Sequence, residues 1–245
     1  MARWYLGIDV GGSSIKAGLV DVDTGAMPGD AVTRITPRPA TPAAIADTIG
    51  EIAARLPGGE HVGVGIPSVV KHGKAWTAAN IHESWVGVDV GALLSGALGR
   101  PATFLNDADA AGLAEMRFGA GRDVPGTVMV LTLGTGIGSA PFVDGRLLPN
   151  TEFGHLQLHG ASAELYASAR VRHEQGLGWP EWGARLTEYL GYMERLFWPD
   201  LFILCGGVIE HFGEFAPYLS TRTPVVPALL GSSAGIVGAA LAAAA

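Results

Sequence analysis

The sequence predicts an α/β fold, and three observations carry the prediction. Short apolar runs of strand character alternate with helical stretches along the chain. Glycine clusters stand at the ends of apolar runs: Gly11-Gly12 after Trp4–Val10, Gly134–Gly138 after Thr127–Leu133, and Gly206-Gly207 after Leu201–Leu204. A twelve-residue stretch also recurs. Val10–Asp21 aligns without gaps with Leu133–Asp144, with identities at Gly11/Gly134, Ala17/Ala140, Val20/Val143 and Asp21/Asp144. Two copies of strand, glycine turn and strand suggest two similar halves facing a cleft.

The elements follow in order. Trp4–Val10 reads as a buried strand, Gly11–Ser14 as a tight turn and Ile15–Val20 as the returning strand. Ala31–Thr36 is a third strand, and the prolines of Pro37–Pro42 break the pattern. Pro42–Leu56 is a helix with Thr41 as N-cap and Pro42 at its first position; Pro57-Gly58-Gly59 stops it. A strand His61–Ile66 and a hairpin Val69–Trp76 turning at His72-Gly73 come next. Asp89–Leu98 is a helix, Thr103–Leu105 a strand and Asp107–Phe118 a helix. Thr127–Leu133 is a strand, and Ala140–Val143 returns from the glycine turn. Helical stretches Ser162–Gln175 and Glu181–Trp198, strand Leu201–Leu204 and helix Ala234–Ala245 complete the chain.

Composition excludes several classes. Of 245 residues, 48% are hydrophobic and only 16% charged, so the chain folds rather than staying disordered. The net charge of −7 argues against a general nucleic-acid binder, which needs a basic face. The one cysteine, Cys205, excludes an internal disulfide and a multi-cysteine zinc cluster. Trp4–Val10 is too short for a secretory signal, and Ile236–Ala245 is too short and too rich in Ala and Gly to span a bilayer. A soluble cytoplasmic protein without membrane partners is expected.

The two glycine turns are the first candidate site. Successive N–H groups in a tight turn form a concavity for an anion, and missing side chains let a phosphate approach. Ser13, Ser14 and Lys16 add donors and charge at the first turn; Thr135 and Ser139 add donors at the second. Neither turn is a Walker loop, and Gly134–Gly138 does not fit the dinucleotide fingerprint. Asp9, just before the first turn, suits either a water-mediated Mg²⁺ contact or a turn-stabilising role.

The second candidate is Asn106-Asp107, at the C-terminal end of a predicted strand, where α/β proteins place functional groups. Asp107 suits both a helix N-cap and a proton acceptor for a substrate hydroxyl. Asp109 reads as a partner of the helix dipole. Glu152 and His155, in a polar irregular stretch, are placed to turn to one ligand. Asn80 is an isolated loop amide, and Glu164 opens a helix. Carboxylates and amides of this kind suit a polyhydroxylated ligand, because each hydroxyl both donates and accepts.

These motifs resemble the ROK sugar-kinase family of the actin-like ATPase superfamily. Asp9–Lys16, Asn106-Asp107, Leu133–Gly138, Glu152–His155 and Gly206-Gly207 occur in the family's order over nearly the whole chain. Thr36–Pro42, Thr77–Asn80, Leu105–Glu115, Pro149–His155, Trp198–Phe202 and Arg222–Pro227 are similar to the polyphosphate-using glucokinases of that family. The resemblance implies two RNase-H-like domains around a central cleft, with 1–105 and a C-terminal helix at about 234–245 in one and 106–233 in the other. It implies Asp107 as general base, with Asn80, Asn106, Glu152, His155 and Glu164 around glucose. Asp9, Gly11, Gly12, Ser13, Ser14, Lys16, Thr135, Gly136, Gly206 and Gly207 would face the phosphoryl donor, inorganic polyphosphate or ATP. Mg²⁺ as cofactor and a homodimer are likewise implied.

Three departures modify these expectations. Leu156–Ala163 lacks the cysteine-rich zinc motif of most relatives, so no zinc is expected and His155 should contact sugar. Cys205-Gly206-Gly207 replaces three glycines, and Ser68 replaces a common glycine. An ATP-dependent hexokinase or mannokinase and a non-catalytic sugar sensor are the alternatives; the helix-turn-helix of the family's repressors is not found ahead of Trp4. A polyphosphate chain would need a basic track, yet the lysines are only Lys16, Lys71 and Lys74 and the arginines are scattered. The donor assignment therefore rests on the resemblance.

Overall fold

The structure is a computed structural model that describes residues 2–59 and 61–245. It divides into two compact units, 1–114 with 233–245, and 115–232.

The first unit is built on a five-stranded sheet. Its elements are β1 (Trp4–Val10), β2 (Ser14–Asp21), β3 (Val32–Ile35), α1 (Pro42–Arg55), β4 (Val62–Ile66), the hairpin β5 (Val70–Lys71) and β6 (Lys74–Ala75), α2 (Val90–Leu98), β7 (Ala102–Asn106) and α3 (Asp107–Phe118). The strand order is β3-β2-β1-β4-β7. β1 runs antiparallel to β2 and β2 to β3, whereas β1–β4 and β4–β7 are parallel. α1 starts as expected: Thr41 Oγ1 accepts the Ala44 N–H, and Pro42 occupies the first turn. Leu6, Ile8, Val10, Val62, Val64 and Ile66 pack with Ile45, Ile49 and Ile52 of α1 and Leu94 of α2.

The second unit repeats the arrangement. It comprises β8 (Thr127–Leu133), β9 (Ile137–Val143), β10 (Arg146–Leu147), β11 (Gln157–Leu158), β12 (Ala161–Ser162), α4 (Glu164–Ala167), α5 (Ala169–Glu174), α6 (Trp179–Phe197), β13 (Leu201–Cys205), α7 (Phe212–Phe215) and β14 (Val225–Pro227). Its sheet order, β10-β9-β8-β13-β14, is the same pattern of two antiparallel and two parallel pairings. Met129, Leu131 and Leu133 pack with Trp182, Leu186, Tyr189 and Leu190 of α6.

The final helix, α8 (Ala234–Ala244), belongs to the first unit. It meets the sheet through glycines. A Cβ on Gly7 would lie 1.9 Å from the Ile236 carbonyl oxygen, and one on Gly63 would lie 1.7 Å from that of Ala239. Gly7 and Gly63 are register partners, so the helix backbone lies directly on bare strand. The Ala- and Gly-rich terminus is therefore a close-packed helix. No helix is long and apolar enough to cross a membrane, among the described residues.

Several expectations need correction. The boundary between units falls after Ala114, within α3, rather than after 105. The first turns of α3 pack on α8, where a Cβ at Gly238 would lie 1.6 Å from the Ala110 carbonyl oxygen. The repeat is real in architecture but slips by one residue after the turn. Val10 pairs with Ile15, whereas Leu133 pairs with Ile137, so the first turn is one residue longer. Of the four identities, only Gly11/Gly134 precedes that slip. The stretch Ser162–Gln175 is not one helix: Ser168 ends α4 in an extended conformation, and its Oγ accepts the Val171 N–H to start α5. The short strands β10, β11, β12 and β14 carry too few residues to show a periodic signal.

Candidate functional site

In the first unit the candidate residues gather at one end of the parallel strands. Asp9 is the register partner of Lys16 on β2 and of Gly65 on β4. It therefore stands on the glycine-lined face covered by α8, and its carboxylate lies against α8's first turn: a Cβ on Gly235 would fall 2.5 Å from Asp9 Cγ. Gly65, on the next strand, leaves room for Asp107, whose Cα would lie 3.4 Å from a Cβ there. Asn80, at φ 62°, lies beside the first glycine turn, its Cβ 3.1 Å from where a Cβ on Gly12 would sit.

The capping of α3 separates the two readings of Asp107. Asn106 Oδ1 accepts the N–H groups of Ala108 (2.8 Å) and Asp109 (3.1 Å), and its Nδ2 donates to the Ser68 carbonyl at 3.2 Å. Asn106 is thus the cap, and it is buried. Asp107 Oδ1 accepts the Ala108 N–H at 2.9 Å but not that of Asp109. Burial lifts its carboxyl to about 6, against the lowering effect of backbone N–H groups. Burial lifts Asp9 further, to about 7; the Asp107 charge adds to this and Lys16 opposes it. The two side chains keep some contact with solvent while lying deep among protein atoms. Asp109 lies in the first turn of α3, the position of a helix-dipole partner, and is buried there.

Two buried carboxylates, one raising the other and with one lysine opposite, fit a hydrated divalent cation. Mg²⁺ binds through one or two carboxylates and keeps waters and phosphate oxygens for its other positions. A site of this type does not need three protein ligands. No group of three or more His, Cys, Asp or Glu side chains gathers to hold a metal among the described residues.

In the second unit the candidates converge on the other glycine turn. Glu164 Oε2 accepts the Ile137 N–H at 3.2 Å, and a Cβ on Gly136 would lie 2.3 Å from the same oxygen. Its role is thus tertiary, beyond that of a helix-terminal acid. The Glu152–His155 stretch is tied to β9: Ser139 Oγ donates to the Thr151 carbonyl (2.9 Å) and accepts the Phe153 N–H (3.0 Å). Gly154 allows this docking, since a Cβ there would lie 2.2 Å from the Ile137 carbonyl oxygen. The same docking brings His155 Nε2 to 3.7 Å from Glu152 Oε2. Gly134 and Thr135 are exposed, and the Gly134 carbonyl accepts the Arg170 N–H of α5.

Gly206 and Gly207 differ in kind. Gly206, at φ 102°, has its α-carbon against β8, where a Cβ would lie 2.2 Å from the Leu133 carbonyl oxygen. Gly207 has open space around it. Cys205 is buried, and burial raises its thiol well above the ordinary range, so it is not a reactive group. Sequence reasoning missed Gly235 and read Ser139 as a donor to an anion, whereas its buried hydroxyl is engaged by Thr151 and Phe153. A single glycine in an Ala-rich helix and a serine in a strand carry no local signal of the backbone they approach.

Comparison with known proteins places this geometry among sugar kinases. Residues 5–175 match the sequence profile of the ROK family. The polyphosphate glucokinase of Mycobacterium tuberculosis (strain CDC 1551 / Oshkosh) is 50% identical over 241 residues, covering 98% of this chain and 91% of its own. That of Mycobacterium leprae (strain TN) is 46% identical, covering 96% and 73%. The crystal structure of inorganic polyphosphate/ATP-glucomannokinase from Arthrobacter sp. strain KM matches at a TM-score of 0.96 and 47% identity, covering 99% of this chain and 98% of its own. A ROK family glucokinase from Streptomyces griseus, in complex with glucose and AMPPNP, matches at 0.86 and 26%, covering 98% and 99%.

Proposed function

The chain belongs to the ROK family, and from that premise we propose that it transfers a phosphoryl group from inorganic polyphosphate to the 6-hydroxyl of glucose. The observation that carries the chemistry is the division of labour at Asn106-Asp107. Asn106 caps the helix, and Asp107 is left as a carboxylate titrating near neutrality at the end of a parallel strand. A base of that affinity accepts the proton of a sugar hydroxyl as its oxygen attacks phosphorus. Asn80 and Asn106 are the first unit's candidates for binding sugar hydroxyls; Glu152, His155 and Glu164 are the second unit's.

On the donor side, Lys16 and the N–H groups of the first glycine turn offset charge on the transferred group, as do Thr135 and Gly136 at the second. Asp9 would hold Mg²⁺ through water, with Asp107 nearby; the ion supplies neutralisation of phosphate charge. Gly206 and Gly207 complete the donor-side set. The reading includes a homodimer in the cytoplasm, which suits a charged product that does not cross membranes. Purified protein with glucose and Mg²⁺, given polyphosphate or ATP separately and assayed for glucose 6-phosphate, tests the reaction. Absence of product with polyphosphate defeats the donor assignment, and mannose in place of glucose measures sugar selectivity.

A further inference from the structure

A short segment remote in sequence is folded over the first glycine turn and holds its three carbonyls in succession. Thr36 Oγ1 donates to the Gly11 carbonyl at 2.6 Å, Arg38 Nη2 donates to the Gly12 carbonyl at 2.8 Å, and the Thr36 N–H donates to the Ser13 carbonyl at 3.1 Å. Thr36 is buried and Arg38 exposed. With the carbonyls tied back, no acceptor meets the N–H groups of Gly12 and Ser13 among the described residues. The turn thus presents donors rather than acceptors, which is the polarity an anion requires.

The segment also changes the charge at the turn. Lys16 is a compact point charge on β2 beside Asp9. Arg38 adds a second cation at the same turn, exposed, and flanked by Pro37 and Pro39, whose rings restrict the backbone around it. A guanidinium has five N–H donors, and one hydrogen bond to Gly12 leaves most of the fork available for bidentate contact with phosphate oxygens.

We propose that Arg38 is a specificity residue for the phosphoryl donor, its guanidinium taking the non-transferred phosphates of an inorganic polyphosphate chain. The inference rests on the polyphosphate reading above and names the first step of the basic track that the scattered arginines hid. Its ligand is a linear polyanion recognised by charge and oxygen geometry alone.

The test compares Arg38→Met and Arg38→Lys with the unaltered protein, each with polyphosphate and with ATP, over a range of salt concentrations. Arg38→Met is expected to lower kcat/KM for polyphosphate about 10- to 100-fold, with a smaller loss for ATP and little change in the glucose KM. The fall of log kcat/KM with log salt should become shallower, because one fewer cation engages the chain. Arg38→Lys, which keeps the charge, should restore the salt slope and part of the rate, and it serves if the methionine variant fails to fold. Direct titration of polyphosphate into Asp107→Asn protein with and without Arg38→Lys or Arg38→Met reads binding without turnover, and weaker binding to the methionine variant is expected. Equal losses for both donors with an unchanged salt slope would show that Arg38 only braces Gly12, and would overturn the proposal. If the unaltered protein is inert with polyphosphate but active with ATP, the polyphosphate reading itself falls, and this inference with it.

Discussion

Asn106 caps the helix that Asp107 begins. Its side-chain oxygen takes the N–H groups of Ala108 and Asp109, while Asp107 shares only the first of these. Adjacent residues at one strand end thus differ in how far the helix start engages them, and that difference sets what each substitution should do.

Asp107→Asn keeps shape and the bond to Ala108 but removes the proton acceptor. Turnover should fall by about 10²–10⁴-fold while glucose still binds. In the unaltered enzyme kcat/KM should rise with pH through about 6, as Asp107 loses its proton, and then level. The variant should lack that limb. Steady-state kinetics across pH with calorimetric glucose titration separates the two effects; near-normal turnover would reduce Asp107 to a minor partner of the cap.

The paired carboxylates should make the metal-free protein less stable as pH rises. Asp9 and Asp107 are raised to about 7 and about 6, above their unfolded values, so the native state holds more protons than the unfolded chain between about pH 4 and 7. Their contribution is complete below pH 4 and is lost as pH climbs through 6 to 7. Asp9→Asn should remove part of this loss, stabilising metal-free protein at pH 8 by on the order of 1–3 kcal/mol, and should abolish Mg²⁺-dependent turnover. Thermal melts at pH 5 and pH 8, in EDTA and in Mg²⁺, read both consequences.

Gly136 and Gly154 should respond differently to alanine. At Gly136 the new methyl meets only the end of the Glu164 side chain, 2.3 Å away, which can move. Gly136→Ala should therefore raise the glucose KM several-fold with little loss of stability. At Gly154 the methyl meets the Ile137 backbone oxygen at 2.2 Å, which cannot yield without shifting β9. Gly154→Ala should cost about 1–3 kcal/mol and impair both substrates. Urea unfolding beside KM measurements distinguishes them; equal stability losses would contradict the assignment.

Tyr189 offers a test away from the reaction. Its hydroxyl is fully buried in α6 with no hydrogen-bond partner among the described residues, and burial, with Glu164 nearby, raises it well above its ordinary range. An unpaired buried hydroxyl costs about 1–3 kcal/mol. Tyr189→Phe should be neutral or raise stability by up to about 1 kcal/mol, measured by denaturant midpoint. A marked destabilisation would mean that the hydroxyl is bonded in solution.

What the sequence alone determined is local. The apolar runs of β1 and β8, the Thr41-Pro42 helix start and the glycine turns after those strands are each set by near neighbours, and each lies where the residues place it. Asp107, Glu152 and His155 stood out as candidates in the sequence because strand ends and polar loops leave side chains accessible. Tertiary structure alone decided which side chain capped α3, because Asn106 and Asp107 have nearly equal capping tendency and the Ser68 carbonyl, 38 residues away, fixes the Asn106 amide. It also decided the one-residue slip of the repeat, since turn length is set by backbone closure rather than by identities. The fold of Thr36–Arg38 over Gly11–Ser13, and the glycine face that seats α8 against Asp9, likewise appear only in three dimensions. Such contacts join backbone groups that every residue carries, so no residue type announces them.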